Sequence, residues 1–338
     1  MTGRGLVLCL LLAPALALPA ETRKALVVSA EGRVFRKGTD GFASVPAGST
    51  GHVTALSVGE SLLTGTDGRA ELQVPWGGEI FISPDSALEY SLTGTAMDSA
   101  PSASLRAGGA RFRTVDGSSL LVRTTGTGIA AGEAEFAVYA GREGSVLVRV
   151  LSGSVTVTVA SRRTVLGAGE GLSAAAGGEP VSLTATPEYE TWMADRTDAF
   201  LRDPERTVEG VASLMAASLV AFDGSRASAA SAAATWNSAV SAYRDVLATG
   251  DREAVLDFQK AELFPAQDAL EKLSGEMRTA ARNALAIRRY VVSNLVMELR
   301  SRQPVDPSGS VLKALARLGE IAAEYGEKVG GELEESGY

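Results

Sequence analysis

Residues 58–90 read VGESLLTGTDGRAELQVPWGGEIFISPDSALEY. Leu62, Leu63, Ala70, Leu72, Val74, Ile80 and Ile82 fall into short apolar alternations, the period of strands with one face inside. Thr66-Asp67-Gly68 and Trp76-Gly77-Gly78 stand where tight turns join such strands, so the stretch is expected to be a β-meander. The same texture runs from residue 25 to 182, with short Val, Leu, Ile, Thr and Phe runs punctuated by Gly. About ten strands over that length suit a two-sheet sandwich or jelly roll, and a β-solenoid is the alternative. Two small-residue segments, 93–104 (TGTAMDSAPSAS) and 126–132 (GTGIAAG), interrupt the pattern. Each is expected to be a loop, either merely flexible or gating a ligand.

The β texture ends at residues 174–180 (AAAGGEP), and helical spacing begins. Thr186 before Pro187 and Asp203 before Pro204 have the form of an N-cap followed by proline at the first helical position, and Asp306-Pro307 repeats it. Apolar residues then recur at three and four: Tyr189, Trp192, Met193 and Phe200; Val208, Val211, Leu214, Met215 and Phe222; Trp236, Val240, Tyr243, Val246 and Leu247. The longest helix is expected over residues 266–300, with Pro265 either opening it or kinking a helix that began after Asp251. Val311, Leu315, Leu318, Ala322, Tyr325 and Val329 form a final coiled-coil-like seam. It faces either the core of its own bundle or a partner helix, including that of a second copy in a homo-oligomer. The fold class is thus α+β in two domains, an N-terminal all-β jelly-roll-like sandwich over 21–184 and an all-α helical bundle over 185–338.

Residues 1–20 read as a secretory leader: Arg4 is the positive region, residues 6–12 the apolar run, and small residues precede cleavage after Ala20. No later segment is expected to span a membrane, so the mature chain is expected to be soluble and periplasmic, or otherwise exported. Cys9, the single cysteine, lies inside the leader. An exported chain of 338 residues without disulfides buries enough core to do without them. Removing Arg4 leaves 31 basic against 40 acidic residues, a net charge of −9. With no basic footprint, nucleic acid is not an expected partner.

His52 is the only histidine, which excludes Ser-His, Cys-His and multi-histidine metal chemistry on inventory. The glycine clusters lack the Lys-Ser/Thr of a phosphate loop and the strand-turn-helix setting of a dinucleotide fingerprint. No cofactor and no metal is therefore expected. Glu133 and Glu135 are the one suggestive acid pair in the β-region, and neighbouring surface acids are the simpler reading. The candidate contact residues are Trp76, an aromatic beside a glycine turn that would serve a sugar ring or a protein partner, and Arg111, Arg113 and Arg123, a ladder for an anionic ligand.

Several short motifs in order carry a resemblance: Val58-Gly59-Glu60, Thr64-Gly65, Asp67-Gly68-Arg69-Ala70-Glu71-Leu72, then Ser83-Pro84 with Ser86 ahead of Leu88. Residues 146–157 (VLVRVLSGSVTV) and 165–172 (VLGAGEGL) continue it. Together they resemble the FecR-type extracytoplasmic domain. Two turns depart from that pattern, Trp76-Gly77-Gly78 and the segment Gly132-Glu133-Ala134-Glu135-Phe136. The resemblance implies a jelly-roll-like sandwich and extracytoplasmic sensing through a protein partner. With a leader at its start and no internal span, the chain is expected to be a stand-alone, non-enzymatic binding or signalling module of the bacterial envelope that meets an envelope protein. The alternative is a structural protein holding cell-wall glycan. A paired-carboxylate hydrolase is the third reading.

Overall fold

The computed structural model describes residues 24–46, 54–75, 78–94, 99–302 and 309–335. The leader with Cys9, His52, Trp76 and Asp306-Pro307 lie outside the described residues.

The described part of the first half is one open fifteen-stranded sheet. Its shorter strands are β1 (Ala25–Glu31), β2 (Val34–Gly38), β3 (Gly41–Ser44), β4 (Thr54–Leu56), β5 (Ser61–Thr64), β6 (Arg69–Val74), β7 (Gly78–Ile82) and β8 (Ala87–Gly94). The long β9 (Ser99–Thr114) is followed by β10 (Leu120–Arg123), and then by the long β11 (Thr127–Ala140) and β12 (Val146–Val159). β13 (Arg162–Gly167), β14 (Gly171–Ala174) and β15 (Val181–Leu183) close the series. The two segments expected to be loops are largely strand: 93–104 falls mostly within β8 and the start of β9, and 127–132 opens β11. Small residues read as loop punctuation, but here they pack.

The long strands change partners along their length. The first half of β9 pairs with β8 and β10, and its second half with β7 and β11. At the change of partners stands Gly108, with φ +81°, where an added Cβ would lie 2.6 Å from the Asp85 carbonyl oxygen. Only glycine fits both conditions. β11 and β12 shift register at their own irregularity, and β12 then passes from β14 to β13. The sheet thereby wraps one apolar interior containing Leu62, Leu72, Leu88, Tyr90, Leu105, Val148 and Val157, with Phe112 stacked on Phe136 at 5.2 Å. Among the described pairs, all but β9–β10 are antiparallel, so the solenoid alternative, which needs stacked parallel strands, does not hold.

The helices are α1 (Tyr189–Arg202), α2 (Pro204–Ala248), α3 (Arg252–Phe258), α4 (Phe264–Ala286), α5 (Ser293–Arg302) and α6 (Ser310–Glu335). Asp203 caps α2 as expected, accepting from the Arg206 N–H at 3.0 Å with Pro204 at the first position. Thr186 does not cap α1; Glu188 takes that place without a side-chain bond. α2 runs unbroken for 45 residues, about 67 Å, where the sequence showed two separate apolar stripes. Gly224 between those stripes weakens the helix without stopping it, and the alanines that follow are strong helix formers. By length and composition α2 is apolar enough to cross a membrane, which corrects the expectation that no such segment follows the leader. Its first half contributes Val208, Val211, Met215 and Phe222 to the helical core.

α3 and α4 are joined through a π-turn, Gln259–Leu263, and α4 and α5 through another, Ile287–Val292. Pro265 therefore sits inside a continuous helical run, and the widened turn just before it absorbs its missing N–H. Val311, Leu318 and Tyr325 of α6 are buried in the helical core, so the seam is turned inward.

Candidate functional site

The sheet and the helices meet over a cleft of about 920 Å³. Along β9, Ala103 and Leu105 face the β interior, while the alternate Ser102, Ser104 and Arg106 point the other way. These three are nonetheless buried. α4 lies over them: the Arg106 Nη1 donates to Asn283 Oδ1 at 3.1 Å, and its Nη2 meets Glu89 Oε2 at 3.0 Å. Glu89, on β8, is also approached by Arg282 Nη1 at 3.8 Å. One carboxylate thus joins an arginine of the sheet to one of α4, and Asn283 completes a clasp between the two halves.

At the other end of the cleft the β10–β11 turn touches α2. Gly126 has φ +89°, and a Cβ there would stand 2.3 Å from Leu214 Cδ1. Between these contacts the walls are mainly apolar and small. α2 presents Ser213, Ala217 and Ala221 at four-residue spacing, and α4 presents Gly275, Thr279 and Asn283 at the same spacing. Small side chains on both helices leave the space unfilled.

Arg123 lines this cleft from β10. Its Nη1 donates to Ser102 Oγ at 3.0 Å, and among the described residues no carboxylate lies within ion-pair distance of it. Burial, and then the charge of Arg106, hold the guanidinium below its ordinary value, with Glu276 partly offsetting them.

Arg111 and Arg113 are elsewhere. Both project from the second half of β9 onto the outward face of the sheet, where Arg111 pairs with Glu135 and lies 5.4 Å from the Phe81 ring centroid, and Arg113 meets Glu79 at 3.5 Å. The expected three-arginine ladder therefore does not assemble, because β10 pairs with the first half of β9 and not with the second. Glu135, half of the suggestive acid pair, is taken up by Arg111, and Glu133 is exposed. Farther along the same outward face α1 covers the sheet: Tyr189 stacks on Tyr139 at 4.5 Å, Trp192 Nε1 donates to Ser173 Oγ at 3.1 Å, and Arg149 meets Glu188 at 3.2 Å. Phe81, Arg111 and Arg113 lie beyond these contacts. Among the described residues, no group of three or more His, Cys, Asp or Glu is placed to hold a metal.

Residues 60–156, from the lead into β5 to the middle of β12, match the family FecR protein. This stretch is a FecR domain. Glu89, Arg106, Arg111, Arg113 and Arg123 all lie within the FecR domain, whereas the helices lie outside it. Two crystal structures of a candidate anti-sigma factor from Parabacteroides distasonis ATCC 8503 are similar to the chain, each at 19% identity. The 1.65 Å structure has a TM-score of 0.33, covering 38% of this chain and 61% of that one. The 2.50 Å structure has a TM-score of 0.32, covering 41% and 62%. The chain thus spans about three fifths of the length of those proteins. No curated protein matches it.

Sequence reasoning missed Glu89, Arg106 and Asn283. The available signal was Arg106 itself, a lone arginine in the small, apolar run SASLRAGGA. Nothing local in the sequence tells a solvated face from one that a distant helix covers.

Proposed function

We propose that this protein is a non-enzymatic binding and signalling module of the bacterial envelope, exported by its leader with cleavage near Ala20. In this reading the FecR domain receives an envelope protein partner on the outward face bearing Phe81, Arg111 and Arg113, with Trp76, which follows β6 in the sequence, as a further contact. One observation carries the reading: a FecR domain whose outward face is covered by α1 at one side and, among the described residues, by no helix at the other, where an aromatic ring and two arginines lie together. Aromatic and arginine side chains are the types that anchor protein interfaces. The boundary between a jelly-roll-like sandwich and a helical bundle at residues 184–185 belongs to the same reading. The clasp of Glu89, Arg106, Arg282 and Asn283 supports a mechanical role for the helices, since a shift of the sheet bears directly on α4.

A photocrosslinking residue at Phe81, used in native envelopes and followed by mass spectrometry, tests this. A defined envelope protein recovered from that position, and lost when Arg111 and Arg113 are both replaced by Glu, supports it. Recovery of wall glycan alone would replace it with the structural reading, and no specific product would refute it.

A further inference from the structure

We infer that the cleft between the sheet and the helices is a binding site for a small amphiphilic carboxylate, a single-chain organic acid whose head meets Arg123 and whose apolar body lies against α2 and α4. The volume, about 920 Å³, is at the upper end of the roughly 300–1,000 Å³ of small-molecule sites. Leu121, Val146, Leu214 and Ile287 line it with apolar surface, which favours a ligand with a hydrocarbon body.

The head group follows from the charges. Arg106 is taken up by Glu89 and Asn283 and does not line the cleft, whose ionic groups are Arg123, Lys272 and Glu276. Among the described residues Arg123 has no ion-pair partner: its hydrogen bond goes to the neutral Ser102, and the charge of Glu276 offsets it only in part. A guanidinium carries five N–H donors in a planar fork, so one bond to Ser102 leaves edges open for a carboxylate. A carboxylate at Arg123 would restore to this arginine the pairing that Glu89 gives Arg106. The site is distinct from the outward face, and its occupancy does not depend on the partner proposed for that face.

The test uses the mature full-length chain and the fluorescent fatty acid dansyl-undecanoate. The expected result is saturable enhancement at one site per chain, displaced by dodecanoate and not by dodecanol or dodecyltrimethylammonium. Arg123→Gln should weaken binding about tenfold or more, the loss of one charge-assisted pair. Ala217→Phe, which fills the cleft without touching a charge, should abolish binding, and Arg111→Gln on the outward face should leave it unchanged. Circular dichroism and melting temperature identify any variant that fails to fold, and the displacement series on the unaltered protein decides the matter without variants. Absence of saturable binding, equal displacement by dodecanol, or unchanged affinity in a folded Arg123→Gln protein would overturn the assignment.

Discussion

Replacing Glu89 by Gln removes one charge from the clasp at almost constant shape, and the cost can be worked from its surroundings. The Arg106 side chain is only 4% exposed and that of Glu89 17%, so solvent screens the pair weakly. Breaking a buried ion pair by removing one partner typically costs about 3–5 kcal/mol, because the remaining charge has nowhere to go. Two features reduce this: Asn283 still accepts from Arg106, and the Gln carbonyl replaces one carboxylate oxygen. The expected loss is about 2–3 kcal/mol, which for a chain of this size lowers the melting temperature by roughly 5 °C. Urea denaturation followed by far-ultraviolet circular dichroism measures it. Replacing the pair together, as Glu89→Leu with Arg106→Met, should recover stability to within about 1 kcal/mol of the parent, since the desolvation cost disappears with both charges. If Glu89→Gln alone shifts stability by less than about 0.5 kcal/mol, the pair behaves as an exposed one and the clasp does not join the halves.

Other expectations rest on different residues. Phe112→Ala removes one ring of the central stack and should cost about 3–5 kcal/mol by the same denaturation assay. Asp203→Ala removes the cap of α2 and should cost about 1 kcal/mol, largely recovered by Asp203→Ser. Gly126→Ala sets a methyl group at positive φ against Leu214, whose flexible tip gives way more readily than the backbone, so a loss of about 1–2 kcal/mol is expected. Burial pushes the Tyr90 and Tyr325 hydroxyls up to about 12 from an ordinary value of 10, so the unfolded chain ionises first and stability should fall as pH rises from 10 through 12. Phenolate absorbance should show these two rings titrating late, and a melting temperature flat across that interval would contradict it.

How much of this was legible in the sequence depended on whether one segment's pattern names its own environment. In β6 and β7 it does, because Leu72, Val74, Ile80 and Ile82 alternate with Glu71, Gln73, Glu79 and Phe81, which end on the outward face. The helical half was equally open in its stripes, although the length of α2 was not: an Ala/Ser run carries no apolar period and reads as a break. Arg111 and Arg113 share the outward face, but grouping them with Arg123 required knowing which part of β9 each neighbour pairs with. That is fixed by the change of partners around Gly108, a property of one backbone angle rather than of any pattern. The cleft was invisible for a similar reason. Neither Ala217 nor Gly275 signals a site, and the void exists because two small-residue faces from distant parts of the chain are held on either side of it.

The clasp and the cleft also constrain each other. Arg106 and Arg123 stand close enough that the charge of one depresses the affinity of the other for its proton, yet only Arg106 is paired to a carboxylate. Among the described residues no carboxylate reaches ion-pair distance of Arg123, and Glu276 offsets its charge only in part. The structure instead answers it with Ser102, a neutral acceptor. An exchangeable anion at that position would change the field acting on Arg106, and through Glu89 and Asn283 it would change how firmly the sheet holds α4. If occupancy of the cleft changes the docking of the helices, docking changes the affinity of the cleft by the same factor, because linkage is reciprocal. The measurable form of this link is the Asn283→Ala protein. It loses one hydrogen bond to a charged group, worth about 1.5–3 kcal/mol, and leaves both arginines in place. Its affinity for dansyl-undecanoate should fall together with its stability. A protein destabilised by that amount with unchanged affinity would show that the clasp and the cleft act independently.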